Sequence, residues 1–220
     1  RISLGPCVDV HKACQHWKKE GRCVWPTKIT SYFLDNCPVT CGQCRYDSKT
    51  VPHGPPLPPF LEPFTDLVGK WVPQKYLRNH FAIDLSSEKH YKEEYIKFEI
   101  NDMPLFDHPS LNYTSKAISE DDTLEEYGFL TLSEPKKPHR SVGLIFITNT
   151  GLSVMQEGYI DGGLIKLTTV YNVQYEPSAA RSKYLTGNRT LQWSNGVLMH
   201  TYNDDKGYQY NQVYTRSTKR

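Results

Sequence analysis

Arg189-Thr190-Leu191-Gln192-Trp193-Ser194-Asn195-Gly196-Val197-Leu198-Met199-His200-Thr201-Tyr202-Asn203 decides the fold. Leu191 and Trp193 alternate with Gln192 and Ser194, and an Asn-Gly pair separates that run from a second one, Val197 to Asn203. Asn-Gly tolerates the positive φ of a tight two-residue turn, so the stretch reads as an antiparallel hairpin. The same pattern extends outward. Ile96, Phe98 and Ile100 alternate with Lys97 and Glu99, the period of a strand with one buried face. Further strands are expected near 111–118, 125–132, 141–148, 152–159, 163–170 and 208–216. Thr150-Gly151, Asp161-Gly162-Gly163 and Asp205-Lys206-Gly207 part them. Many short strands joined by tight turns predict a mostly β chain, an antiparallel up-and-down barrel or a sandwich. A barrel of about 155 residues commonly encloses one small ligand.

Upstream, the composition changes twice. Six of the residues from Pro52 to Pro63 are proline, which fixes φ and removes a donor, so an extended polyproline spacer is expected over 46–63. Before it, all six cysteines fall between Cys7 and Cys44, spaced Cys7-x6-Cys14-x8-Cys23-x13-Cys37-x3-Cys41-x2-Cys44. A segment of about 40 residues rarely buries enough apolar surface to fold without staples. Three disulfides, each worth roughly 2–4 kcal/mol, answer that need and imply an oxidising compartment. The competing reading is zinc on Cys37, Cys41 and Cys44 with His11 or His16, but one tetrahedral site leaves cysteines unexplained. Spacing alone leaves fifteen pairings open for six cysteines.

The remaining arithmetic excludes several classes. The 220 residues carry 26 basic and 24 acidic side chains, a formal +2, so no phosphate-seeking field points to nucleic acid. The longest apolar run, Val142 to Ile147, is far short of the roughly 20 residues of a membrane span. No basic-then-apolar leader begins at Arg1, so a secretion signal is expected to have been removed. The expectation is a secreted, soluble monomer with modules at 1–45 and 64–220. Neither a Gly-x-Ser-x-Gly elbow nor an unclaimed thiol supports nucleophilic catalysis, and Gly162-Gly163 is too short to cradle phosphates. Glu93-Glu94 and Glu125-Glu126 are adjacent pairs, which a strand points to opposite faces rather than into a dyad. No enzyme is expected. Asn112-Tyr113-Thr114 and Asn188-Arg189-Thr190 fit the N-glycosylation sequon, which predicts a glycoprotein.

Cys7-Val8-Asp9, Trp17 after Cys14, and the closing Cys37-Pro-Val-Thr40-Cys41-Gly42-Gln-Cys44 resemble the ShK-toxin-like (ShKT) domain over residues 7–44. The resemblance implies a small helical fold with pairs Cys7–Cys44, Cys14–Cys37 and Cys23–Cys41. Toxin members block potassium channels with a Lys-Tyr pair. Lys28 falls at a similar offset from Cys23, yet Ile29 follows it and the interval's only tyrosine is Tyr32. Lys28 is therefore a weak channel-contact candidate, and a stapled interaction or spacer module is the plainer reading.

Leu67-Val68-Gly69-Lys70-Trp71 carries the Gly-x-Trp signature of lipocalin-type barrels. Phe81, Tyr91-Lys-Glu93-Glu94-Tyr95, Glu125-Glu126-Tyr127-Gly128-Phe129-Leu130 and Gln156-Glu157-Gly158 follow in order. Together they resemble the nitrobindin-type heme-binding β-barrel over residues 60–217. That resemblance implies about ten antiparallel strands around a pocket for a flat hydrophobic ligand, heme above all. Heme-binding members use a histidine on the last strand, where this chain has Tyr210 between Tyr208 and Tyr214. A phenolate ligates ferric heme when a cation helps it ionise. Otherwise these tyrosines simply line a pocket with Trp71, Phe81 and His200. The sequence thus points to a barrel that carries or sequesters heme, or a fatty acid or other lipid if Tyr210 does not serve iron. The alternative is an interaction protein whose ShKT module engages a cell-surface or host protein.

Overall fold

The computed structural model describes residues 7–45, 57–74, 92–101, 109–120, 123–133, 139–174, 186–204 and 209–217, apart from the side chains of Pro59 and Tyr210. The chain divides into two compact units, one built on the cysteine-bearing segment and one on the strands that follow.

The first unit holds two short helices, α1 (Cys14–Lys19) and α2 (Tyr32–Asn36), with a 3₁₀ turn at Arg22–Val24. Neither helix has a side-chain cap, and both are too short to persist alone. Tertiary staples hold them instead: Cys7–Cys44, Cys14–Cys37 and Cys23–Cys41 are bonded, and among the described residues no cysteine is free. Cys14, Trp17, Phe33 and Cys37 form the buried cluster, with the Trp17 and Phe33 rings edge-to-face at 5.3 Å. Asp9 ties the start of the unit to its end. Its Oδ1 accepts the Val39 and Thr40 amides, each at 3.0 Å, and its Oδ2 accepts the Thr40 hydroxyl.

Only the end of the Pro-rich stretch is described, and there it departs from the extended form expected of it. Residues 46–56 lie outside the described residues, but Pro59–Phe64 winds into 3₁₀ turns, with Leu61 and Phe64 buried. Apolar side chains interleave the prolines here, and their burial outweighs polyproline stiffness.

The second unit is a closed ten-stranded barrel. Its strands are β1 (Gly69–Pro73), β2 (Glu93–Ile100), β3 (Ser110–Ile118), β4 (Thr123–Leu132), β5 (Arg140–Thr148), β6 (Leu152–Asp161), β7 (Leu164–Gln174), β8 (Gly187–Ser194), β9 (Val197–Asp204) and β10 (Gln209–Arg216). Each pairs with its sequence neighbour, and β1 closes the ring against β10 through Trp71↔Arg216 and Pro73↔Tyr214. Asn195 and Gly196, at φ 50° and 76°, make the β8–β9 turn, which sets Trp193 opposite Leu198 and Leu191 opposite His200. Burial alternates along the strands, so every second side chain enters the lumen. Two glycines let the wall close tightly. A Cβ on Gly128 would stand 1.9 Å from the Ile145 carbonyl oxygen, and one on Gly158 would stand 1.8 Å from that of Lys166.

Candidate ligand-binding site

The lumen is not uniformly apolar. Ile96, Phe98, Leu111, Leu130, Leu144, Phe146, Val154, Leu167, Leu191 and Leu198 wall it, yet Glu94, Glu126, Gln156, Arg189, His200 and Gln212 are buried among them. Alternation accounts for their placement: Arg189 shares a strand face with Leu191 and Trp193, and Glu126 with Leu124 and Leu130. Across the barrel these two meet. The Arg189 Nη1 donates to the Tyr113 hydroxyl at 3.0 Å and lies 3.8 Å from the Glu126 carboxylate, to which the Tyr113 hydroxyl donates in turn. Burial pushes the Glu126 carboxyl up from its ordinary range, against the pull of Arg189 and Tyr113. Burial likewise raises the Tyr113 phenol, aided by Glu126. Elsewhere, the Tyr214 hydroxyl donates to Glu94 at 2.7 Å and the Gln156 amide to the Thr169 hydroxyl at 3.1 Å.

This polar set is incompletely satisfied. The Nε and Nη2 of Arg189 and both amide atoms of Gln212 are buried without a hydrogen-bond partner, a cost of about 1–3 kcal/mol per group. Gln212 stands directly across from His200 in the register. His200 is buried, and its imidazole is held neutral, well below its ordinary pKa, first by burial and then by the Arg189 charge.

Of the residues expected to line a pocket, His200 and Tyr214 enter this lumen. Tyr210 occupies β10 opposite Tyr202, whereas Phe81 and Tyr208 lie outside the described residues. Trp71 belongs to the other end of β10, level with Arg216. Its indole Nε1 donates to the Leu67 carbonyl at 2.8 Å, and the Arg216 guanidinium lies 4.9 Å from its ring. At that end a cleft of about 820 Å³ opens between Trp71, Trp193, Arg140, Asp161 and Arg216. The sequence singles out Glu126 only as half of an adjacent carboxylate pair, and nothing in it marks Arg189, Tyr113 or Gln212 as site residues. Asn112 and Asn188 lie on the outer wall, half-buried and exposed respectively. In the first unit, Lys28 is exposed beside exposed Ile29, Val24 and Trp25.

A closed barrel with a polar set buried among apolar side chains is an architecture that ligand-binding barrels share. The comparisons with known proteins agree. The model of the THAP4-like, heme-binding β-barrel domain matches residues 60–218, and the chain belongs to that family. Residues 6–44 match the ShK domain-like model. Among solved structures, the crystal structure of Rv2717c from M. tuberculosis is similar in fold, at 18% identity and a TM-score of 0.50 over 74% of this chain and 99% of that one. No curated protein matches the sequence. Among the described residues, no helix is long and apolar enough to cross a membrane.

The donor set of this lumen fits the family's ligand. Ferric heme needs apolar walls for the porphyrin and a nitrogen or phenolate donor for iron. The walls are present, and a neutral imidazole, the ligating form, is present at His200. Bound there, heme would supply the chemistry of a ferric iron centre. His200 would hold it, or Tyr210, whose side chain lies outside the described residues.

Proposed function

We propose that this is a secreted binding protein whose barrel carries or sequesters a small hydrophobic molecule, with heme as the first candidate and a fatty acid or other lipid as the second. The observation that carries the reading is the unpartnered buried polar atoms of Arg189 (Nε and Nη2) and Gln212 in a lumen whose walls are mostly apolar. Folding selects against such groups unless something completes them. Carriage rather than catalysis is supported by the split of Glu125 and Glu126 to opposite faces, Glu125 pairing outward with Lys116. Three disulfides in one small module support an oxidising, extracellular setting.

Hemin titration of the intact chain tests the reading. A Soret shift is expected, and a tyrosinate charge-transfer band assigns the iron to Tyr210. Tyr210→Phe then removes that band without unfolding the barrel, and His200→Gln abolishes the Soret shift if the imidazole is the ligand. A lumen indifferent to hemin and to a displaceable fluorescent fatty acid alike overturns the proposal. A second reading rests on the exposed Val24, Trp25, Lys28 and Ile29: apolar groups around a cation suit a protein surface, and the module would engage a cell-surface or host protein there.

A further inference from the structure

The outer wall of the barrel carries an apolar band that its register makes continuous. Asn112 of β3 faces Phe129, which faces Ile145, which faces Met155, which faces Tyr171. The row beside it runs Thr114, Tyr127, Ile147, Ser153 and Val173. Tyr127, Phe129, Ile145, Ile147, Tyr171 and Val173 are each between 45% and 59% exposed. Polar rows bound the band: Lys116 pairs with Glu125 on one side, and Thr131, Gly143 and Glu157 follow one another on the other. Apolar surface gathered in this way is unusual on a soluble monomer and calls for a cover.

Both rows begin at one sequon. Asn112 heads the first and Thr114 the second, while Tyr113 between them is buried in the lumen. We infer that an N-glycan on Asn112 is the cover of this wall, its core sugars lying across β4 and β5 over Phe129 and Ile145. Sugar rings present C–H faces that pack on the electron-rich faces of aromatic rings. Adjacent strands stand about 4.8 Å apart, so successive rings of a glycan core follow the row. A glycan at the head of the row also bars a second copy from the wall. The other sequon is an internal control. Asn188 heads a polar row of Thr168, Glu157 and Gly143, and its Oδ1 accepts the Thr168 hydroxyl at 2.7 Å. A glycan there meets no apolar bed.

The inference rests on the secretory location proposed above, so the test imposes that location. The full chain is secreted from a eukaryotic host, and glycopeptide mass spectrometry reads occupancy at Asn112. Binding of the dye 1-anilinonaphthalene-8-sulfonate and sedimentation are compared for wild type, Asn112→Gln, Asn188→Gln and folded wild type stripped of glycan by amidase. Wild type and Asn188→Gln should bind little dye and sediment as monomers. Asn112→Gln and the stripped protein should bind several-fold more dye with unchanged β circular dichroism, and Phe129→Ser added to Asn112→Gln should reverse much of the gain. An unmodified Asn112, or a stripped protein indistinguishable from wild type, overturns the inference. A glycosylated dimer seated on this wall also overturns it and gives the wall to a second copy. Hemin plays no part in these readings, so failure here leaves the ligand proposal standing.

Discussion

Acid should weaken this fold through His200, and a single substitution isolates the effect. The imidazole is buried and its pKa lies well below 6.5, first because burial penalises the charged form and then because Arg189 repels it. For a base with a lowered folded pKa, the unfolded state binds the extra proton, so its contribution is intact above the unfolded pKa and is lost as pH falls below it. The unfolded value of 6.5 caps the loss between pH 7 and pH 5 at about 2 kcal/mol, the figure reached when the folded imidazole takes up no proton in that range. Glu126 acts with the opposite sign, since its raised pKa stabilises the fold at low pH and that contribution fades as pH rises through the folded value. It is common to wild type and His200→Gln and drops out of their difference. Urea unfolding with disulfides intact, followed by β circular dichroism, should show wild type losing up to about 2 kcal/mol more than His200→Gln over this range. Parallel losses, within about 0.5 kcal/mol, would refute the buried neutral imidazole.

Other perturbations probe the wall, the ion pair and the staples. Gly128→Ala forces a methyl to 1.9 Å from the Ile145 carbonyl oxygen and should cost at least about 2 kcal/mol by urea unfolding; a cost near zero means the wall yields. Arg189→Met strands a buried carboxyl and should cost about 3–5 kcal/mol. Adding Glu126→Gln should recover part of this, and strict additivity of the two changes would deny their coupling. Replacing Cys14 and Cys37 by alanine should destabilise the helical module by about 2–4 kcal/mol while dithiothreitol leaves the barrel's β signal intact. Loss of that signal on reduction would mean the strands depend on the staples.

The hairpin at Asn195-Gly196 made the register of β8 and β9 legible, because only a narrow set of turns fits two residues. The strands fell within a few residues of their expected places except at their ends. There, β7 continues to Gln174 although Thr168 to Gln174 alternates weakly, since pairing with β6 carries it past a register shift at Met155/Gln156. The luminal polar set was half-visible. Period two puts Arg189 on the face of Leu191 and Trp193, so its burial was implied by the sequence. The meeting of Arg189 with Tyr113 and Glu126 was not, because it joins strands 76 residues apart and depends on ring closure. The 3₁₀ turns at Pro59–Phe64 were masked by proline count, which hid the apolar period of Phe60, Leu61 and Phe64.

Ring closure also orders events in time. Arg216 reaches back to the Asp66 carbonyl across 150 residues, and β1 finds its second neighbour only in β10. Because the cysteines precede the strands in the chain, the whole cysteine module is made while the barrel still lacks its last stave. Until β10 docks, β1 and β9 each present an open edge to whatever strand is nearby. Such late, long-range closure is slow. The interval before it, rather than the finished ring, is the vulnerable stage of this protein's life.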